Sequence, residues 1–326
     1  MGQRSMYDGE GKEASSHLRA EAYPIPRRTN VALCGGLFAG FLLLLHGSAV
    51  VSTPLAIVGI AVSFATLMIP VYSLLHEALH EVLHPDSRMN YGLGLVLSAT
   101  FMAPFSFLQS CHWGHHRRNR SDYELFDLYY PGESRARKAG FLIFLRLGFY
   151  WLSLPISCVL FVVAPRVLEG NLLRRWKSID AMTRELKAGA PFRMKLEAFS
   201  VLVFHTALYF ALGLHVRPLL LLYGVHAFVW SSHDYVNHAF SRRDVINGAY
   251  NHRMPVFFQR WLFLNFNLHL AHHQHPHLPW NALESVVPPE SMQTTYLGAW
   301  IDLWKGPRIT TEPTPQPVER YFPDVR

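Results

Sequence analysis

Residues 29–80 read TNVALCGGLFAGFLLLLHGSAVVSTPLAIVGIAVSFATLMIPVYSLLHEALH, and this stretch decides the class of fold. No Lys, Arg, Asp or Glu occurs between residues 29 and 75. Such a run is too long for one membrane crossing, which takes about 20 helical residues. A short polar turn at 52–54 divides it. We therefore predict two membrane-spanning helices, near 31–51 and 54–75.

The composition of the whole chain agrees with a membrane protein. Half of the 326 residues are hydrophobic and only 16% are charged, against roughly 25% charged residues in soluble domains. This composition excludes a disordered, collagen-like or coiled-coil chain. The net charge is +7, but no basic stripe with interleaved aromatic residues is present, so nucleic acid is excluded as a partner.

Four further apolar runs need a place in the topology. The segment 166–196 holds eight basic and three acidic residues, and an excess of basic residues marks the cytoplasmic side. We therefore place the run 147–165 in the membrane interface or as a re-entrant segment, and predict that 198–216 and 218–233 form the second spanning hairpin. The run 91–110 either does not enter the membrane or enters it and leaves on the same side.

The sequence thus predicts an all-α, multi-pass membrane protein with four transmembrane helices, interfacial helices and a His-rich cytoplasmic cap. Residues 1–30 form a polar cytoplasmic N-terminal tail, and residues 31–282 form the membrane domain. Residues 283–326 form a C-terminal cytoplasmic tail, which we expect to be extended and peripheral around its prolines. Both termini then lie on the cytoplasmic side, with membrane lipid around the four spans.

Three histidine clusters carry the chemistry: HEALH at 76–80, HWGHH at 112–116 and HLAHH at 269–273. On a helix, positions i and i+4 share one face, so such pairs reach one metal together. One zinc needs only three or four ligands, and the clusters with His238 supply enough for two metals. The nine candidate ligands are His76, His80, His112, His115, His116, His238, His269, His272 and His273.

Other polar residues lie beside these clusters. A ligating imidazole usually donates its second ring N–H to a carboxylate, amide or carbonyl. The candidates for such supporting contacts are Glu77, His84, Asp122, His233, Asp234, Asn267, His275 and His277. Asp234 and Asn267 are alternatively expected to reach metal through water. We expect packing or hydrogen bonding for His46, His205, His215 and His226, and solvation for His17 and His252.

The three clusters resemble the histidine boxes of the membrane fatty acid desaturase superfamily, which includes alkane hydroxylases and carotenoid ketolases. Residues 234–238, DYVNH, resemble the element that adds a further ligand, although those enzymes commonly have Asn where Asp234 stands. The resemblance covers about residues 31–282. It implies a di-iron site in the cytoplasmic cap and O2 as co-substrate.

By this resemblance, the expected activity is O2-dependent desaturation of an acyl chain carried as acyl-lipid, acyl-CoA or acyl-ACP. Hydroxylation or ketolation of a hydrophobic substrate is the alternative, because the ligands alone do not separate these outcomes. No GxGxxG motif follows a strand, and Cys34, Cys111 and Cys158 are too scattered for an iron–sulfur cluster. We therefore expect a separate ferredoxin- or cytochrome-type electron donor. Arg174, Arg175 and Lys177 are the candidate docking residues, with a role of these charges in topology alone as the alternative.

Two functions of other classes remain as alternatives. HEALH also satisfies the HExxH pattern of zinc proteases, with Glu77 as the base, but this leaves both HxxHH clusters unexplained. A metal transporter or metal-binding membrane protein would use His-rich loops, yet transporters place their ligands within the spans. For the acyl chain itself, we predict Phe101, Phe105, Phe107 and Trp230 as lining residues.

The predicted topology is testable by labelling. Single cysteines placed between residues 170 and 190 are expected to react only with a reagent supplied from the cytoplasmic side, since the basic segment is retained there. The measurement is modification by a membrane-impermeant maleimide in intact cells and in inverted vesicles. Labelling in intact cells would contradict the topology.

Overall fold

The computed structural model describes residues 23–169, 177, 180, 192–292 and 294–318. The long helices are α1 (Arg27–Val50), α2 (Pro54–Leu79), α3 (Ser87–Thr100), α4 (Phe105–Arg118), α5 (Arg135–Phe144), α6 (Tyr150–Val163), α8 (Phe192–Ala211) and α9 (Val216–Val236). The shorter helices are α7 (Pro165–Glu169), α10 (His269–Gln274) and α11 (Tyr296–Trp304), with π-helical turns at Leu145–Phe149 and Phe258–Leu262 and 3-10 turns at Leu283–Val286 and Pro289–Ser291. The strands are β1 (Leu128–Tyr129), β2 (His252–Arg253), β3 (Thr294–Thr295) and β4 (Arg308–Ile309).

Four helices are long and apolar enough to cross a membrane: Arg27–Val50, Pro54–Leu79, Arg135–Val163 and Phe192–Ala211. The third of these joins α5 and α6 through the π-helical turn. The prediction of an all-α protein with four candidate membrane helices is confirmed. The set differs from the predicted one, however, because the run 147–165 belongs to a helix of spanning length.

The helix α9 is not among these four, although 218–233 was predicted as a span. Its last turns carry Ser231, Ser232, His233 and Asp234, which lower its apolar character. It nevertheless packs along the length of α2, and both helices run towards the histidine clusters. Which helices cross the bilayer, and on which side the clusters lie, therefore stay predictions.

The run 91–110 is divided between α3 and α4, which are bent by 95° relative to one another. Their close approach depends on a glycine, because a Cβ on Gly94 would lie 2.4 Å from the Phe105 ring. The bend sets α4 nearly at right angles to α3, which is compatible with a broken span as well as with a run that returns on itself. HWGHH consequently lies next to the end of α2.

The C-terminal segment contacts the folded body at both of its described ends, while the residues around Pro313 and Pro317 are extended and exposed, as predicted. The strand β4 pairs in parallel with β1, and the Thr310 amide donates to the Tyr129 carbonyl. Further along, the Val318 amide donates to the Arg117 carbonyl. Residues 308–318 thus run along the loop that follows HWGHH and fix its path.

The buried side-chain amide of Asn30 links the start of α1 to the part of the structure that carries the histidine clusters. Nδ2 of Asn30 donates to the Leu83 carbonyl at 2.8 Å, and Nε1 of Trp280 donates to Oδ1 of Asn30 at 3.0 Å. Asn30 is fully buried, so both polar atoms depend on these partners.

Replacing Asn30 by Ala is expected to destabilise the protein by about 1–3 kcal/mol, because two buried groups lose their hydrogen-bond partner. The measurement is the thermal unfolding midpoint of the purified protein in detergent. Thr29→Ala, at the exposed neighbouring position, is the control and should leave the midpoint unchanged. An Asn30→Ala midpoint equal to that of the control would contradict this role.

Candidate metal centre

Four separate parts of the chain bring the nine predicted histidines to one place. The end of α2 supplies His76 and the residue that follows α2 is His80, while α4 supplies the three histidines of HWGHH. The helix α10 supplies the three of HLAHH, and His238 follows α9. Short helices with i, i+3 and i+4 spacing present these rings inward.

The first group contains five histidines whose donor atoms all lie within 4.8 Å of one another: His76, His80, His112, His116 and His272. The Nε2 atoms of His80 and His112 are 2.6 Å apart, and Nε2 of His116 lies 3.1 Å from both His112 and His272. Neutral ring nitrogens this close need a shared proton or a shared cation. We name these five residues the first histidine group.

The second histidine group consists of His115, His238, His269 and His273, whose donor atoms also lie within 4.8 Å of one another. His115 comes from α4, whose other two histidines belong to the first group. His269 and His273 stand at i and i+4 on α10, while His272 between them faces the first group. Adjacent residues on one short helix therefore supply two different groups.

Hydrogen bonds fix two rings of the second group. Nδ1 of His115 lies 2.6 Å from Oε2 of Glu124, and Nδ1 of His238 lies 2.9 Å from the Gly248 carbonyl. Because a carbonyl only accepts, Nδ1 of His238 carries the proton and Nε2 keeps its lone pair. Both rings are thus prepared to offer Nε2 inward.

Burial and charge favour neutral rings. Burial, together with the neighbouring histidines, lowers the pKa values of His269, His272 and His273 well below the ordinary value. A neutral imidazole is the form that binds metal. These rings therefore need no deprotonation at neutral pH before they act as ligands.

Several ring nitrogens have no hydrogen-bond partner in the part of the chain that the structure describes. They are Nε2 of His76, Nδ1 of His80, Nδ1 of His269 and Nε2 of His273. Buried polar atoms without partners are rare in folded proteins. Nine imidazoles are a donor set that suits Fe, Zn, Cu or Ni rather than Ca or Mg. The two groups accordingly fit two transition-metal ions.

A buried ion pair holds the turn that carries His238. Nη1 and Nη2 of Arg120 donate to the Asp127 carboxylate at 2.8 and 3.1 Å. The same guanidinium donates to the Ser241 carbonyl, and Asp127 accepts the hydroxyl of Tyr235 at 2.6 Å. Arg120 and Asp127 thereby fasten the 235–241 turn to the loop after HWGHH.

Gly248 sits where this turn meets the same loop. A Cβ at this position would lie 2.2 Å from the Asp244 carbonyl and 2.4 Å from Cγ of Arg120. Its carbonyl accepts from His238 and from Nδ2 of Asn119. A glycine is therefore required for the backbone to come close enough to orient His238.

A cavity of about 1020 Å³ reaches the second group and one edge of the first. Its inner part is lined by Phe101, Leu108, Leu154 and Trp230, and its outer part by Glu133, Arg137, Lys138 and Lys177. It is also lined by His112, His115, His238 and His269. The cavity therefore brings a charged mouth, four of the candidate ligands and an apolar inner wall into one space.

A family model described as fatty acid desaturase matches residues 29–299. The chain belongs to the fatty acid desaturase family. A comparison with curated proteins finds no match. The family implies an oxidoreductase of the desaturase and hydroxylase type, and it is known for the use of iron. The match also supports a membrane protein, in agreement with the four apolar helices.

Two of the carboxylates that were predicted to support the ligands in this desaturase-family chain form hydrogen bonds with other residues. Glu77 is buried and its Oε2 accepts the Trp280 amide at 2.8 Å, so this oxygen is held by the backbone rather than by a histidine ring. Asp122 accepts from Arg243 and Tyr130 near the surface. The loop places Glu124, which the sequence analysis missed, against His115 instead.

Asp234 and Asn267 are also held by other partners. Oδ1 of Asp234 accepts the Tyr72 hydroxyl at 2.7 Å at the cavity wall. Nδ2 of Asn267 donates to the His252 carbonyl at 2.7 Å. Neither residue belongs to the two histidine groups, although Asp234 is close enough to His115 for an electrostatic interaction. Their predicted route to a metal through water stays a prediction.

The remaining predicted supporting histidines differ from one another. Nδ1 of His84 accepts the Asp86 amide in its own turn, whereas His233 is hydrogen-bonded to the Tyr296 hydroxyl at 2.6 Å. The His277 ring lies 6.4 Å from that of Trp113. The His275 amide bonds back to Ala271 and ends α10.

The prediction that His252 is solvated is wrong. It is fully buried, and its ring bonds to Thr294 and to the Val236 carbonyl. Burial lowers its pKa to about 4. It ties β2 to the end of α9, which explains why a histidine outside the clusters is buried. His17 lies outside the described residues.

Four other histidines were predicted to pack or to form hydrogen bonds. His226 is buried against Phe101 and Trp151, and His205 bonds to the Ala99 carbonyl at 2.8 Å. These two agree with the prediction. His46 and His215 are exposed, so the prediction is wrong for them.

Only some of the residues that were predicted to line the cavity or to dock the electron donor lie at the cavity. Phe101 and Trp230 line the cavity, whereas Phe105 packs on Tyr91 and Phe107 on Phe161. Lys177 is exposed, lines the cavity mouth, and its Nζ lies 3.7 Å from Asp122. Arg174 and Arg175 lie outside the described residues.

Replacing Glu124 by Ala is expected to lower metal affinity about 10- to 100-fold, as loss of such supporting hydrogen bonds does in other sites. The reason is that His115 loses the partner that orients its ring. The measurement is metal content after dialysis against a graded chelator. Asp122→Asn, two residues earlier in the same loop, is the matched control. Equal loss in both variants would contradict a specific role for Glu124.

Proposed function

We propose that this protein is a membrane-bound, O2-dependent di-iron desaturase that introduces a C=C bond into an acyl chain. The observation that supports this most strongly is the position of two largely buried histidine groups at the wall of a cavity that also has apolar lining residues. Family membership supplies the class of reaction, and the cavity supports an extended hydrophobic substrate.

The first histidine group would hold one iron and the second group the other. Bound iron supplies the redox chemistry with O2 that breaks an unactivated C–H bond, which zinc does not have. His115 and His238 orient their rings through Glu124 and Gly248. Burial keeps His269, His272 and His273 neutral, so that their lone pairs are available.

The chain's own contribution to the reaction is then to position the substrate. Phe101, Leu108, Leu154 and Trp230 bury the distal part of the acyl chain in the inner cavity. Holding a flexible chain in one conformation brings a chosen methylene pair beside the histidine groups and lowers the entropic cost of reaction. Position and length of the chain in the cavity therefore select the bond.

The two ends of the cavity differ in polarity, and this difference suggests the chemistry of the proposed partners. An acyl-lipid, acyl-CoA or acyl-ACP places its polar carrier at the charged mouth and its chain inside. Electrons come from a separate ferredoxin- or cytochrome-type protein, for which Arg174, Arg175 and Lys177 are the proposed docking residues. We place the metal site and both termini on the cytoplasmic side, where such donors reach it.

The test combines metal and product analysis of the purified protein and of cells that express it. We expect about two irons per chain and new unsaturated acyl chains detected by mass spectrometry. His115→Ala and His272→Ala, one from each histidine group, should each lower iron content and abolish the product. The reason is that each removes an imidazole that no neighbouring side chain replaces.

His46→Ala is the control, because His46 is exposed on α1 and far in sequence from both groups. It should retain iron and product. Stoichiometric zinc in an active preparation, or full activity in either box variant, would contradict the proposal. Hydroxylated or ketone products in place of alkenes would retain the di-iron site but assign the chain to the alternative reaction.

A further inference from the structure

A set of large apolar side chains is exposed outside the helices that are candidates for membrane spans. They lie in two short segments, residues 256–261 and 297–301, which we call the apolar shelf. Their exposed fractions are 57% for Val256, 68% for Phe257, 47% for Phe258, 67% for Trp261, 65% for Leu297 and 49% for Ile301. Contiguous apolar surface of this kind marks a site of contact with a partner or a membrane.

The two segments of the shelf are neighbours in space. The strands β2 and β3 pair in parallel, with His252 opposite Thr294 and Arg253 opposite Thr295. Immediately after these strands, each segment continues into the shelf. Between them lies an open groove of about 620 Å³, lined mainly by Met254, Pro255, Phe258, Phe263, Tyr296 and Leu297.

The shelf is fastened to the ends of two long apolar helices. The Phe263 carbonyl accepts the Ser73 hydroxyl of α2 at 2.9 Å. The Tyr296 hydroxyl is bonded to His233 near the end of α9 at 2.6 Å. The shelf therefore lies level with the point where α2, a candidate membrane span, ends at the histidine groups.

The composition of the shelf matches that of protein surfaces in the membrane–water interface. Phe257, Trp261 and Leu297 supply the apolar side, and aromatic residues concentrate at this depth. Arg260 sits among them with its guanidinium turned to Glu284 at 2.9 Å. Long basic side chains at a membrane–water interface have this arrangement, in which the stem lies on apolar surface and the charged head is directed to a polar partner.

We propose that the apolar shelf lies in the interfacial layer of the lipid bilayer, on the side where α2 and α9 end, and that its groove takes a lipid acyl chain. The continuity of the shelf with the end of a membrane helix favours lipid over a soluble partner. This inference uses the membrane character of the chain and is independent of the reaction. The proposed donor-docking residues belong to a separate, basic part of the chain.

The test is a depth measurement on nitroxide labels in nanodiscs. Cys34, Cys111 and Cys158 are first replaced by Ala or Ser, and labels are then placed at Phe257→Cys, Leu297→Cys and Glu133→Cys. For each label, the collision rates with O2, which concentrates in lipid, and with a water-soluble nickel chelate are compared. We expect O2 to dominate at positions 257 and 297 and the nickel chelate at position 133, the exposed control.

A second measurement leaves the native cysteines in place. Phospholipids brominated near the headgroup end of the acyl chain are expected to quench the fluorescence of the wild-type protein more than that of Trp261→Phe. Equal quenching of both proteins would overturn the proposal. Dominant nickel access at positions 257 and 297 would show a surface in water, and spin–spin broadening there would show a second copy. Either result would also overturn it, whether or not the enzyme is active.

Discussion

The whole structure depends on bringing together nine imidazoles that face one another, seven of which are buried. In the first histidine group, ring nitrogens approach to 2.6 and 3.1 Å, which neutral rings tolerate only around shared protons or cations. Burying polar atoms without partners costs free energy that apolar packing does not return. The long helices, the buried Arg120–Asp127 pair and the close approach at Gly248 all serve to hold these rings in place, and the two metal ions that we propose would satisfy the ring nitrogens that face one another.

Much of this arrangement could be predicted because helical spacing is local. Histidines at i, i+3 and i+4 must share or straddle a face, so HWGHH and HLAHH each supply both groups in the manner that their spacing indicates. The uncharged run 29–75 likewise leaves few alternatives to a pair of long helices. The residues that support the ligands were harder to predict from the sequence, because Glu124 and Asp122 lie two positions apart in a loop that has no periodic pattern. Only the path of that loop, fixed by the C-terminal segment, determines which carboxylate meets His115.

The other errors have a similar physical origin. His252 carries no periodic signal, and its burial follows from the pairing of β2 with β3, two strands far apart in the sequence. The run 147–165 was placed in the interface because the basic segment 166–196 follows it, whereas in the structure it continues Arg135–Phe144 as one helix of spanning length. Charge patterns describe where a chain meets water, but the bounds of a helix also depend on the elements against which it packs.

The distribution of the ligands along the chain has a consequence for biosynthesis. Four of the five histidines of the first group lie within the first 118 residues, but the fifth is His272 on α10. Three of the four histidines of the second group also follow α9. A nascent chain therefore carries an incomplete set of ligands until the last membrane helix has been made, and neither group closes before α10 leaves the ribosome. The metal ions that we propose for these groups would therefore find a complete set of ligands only after α10 has been made.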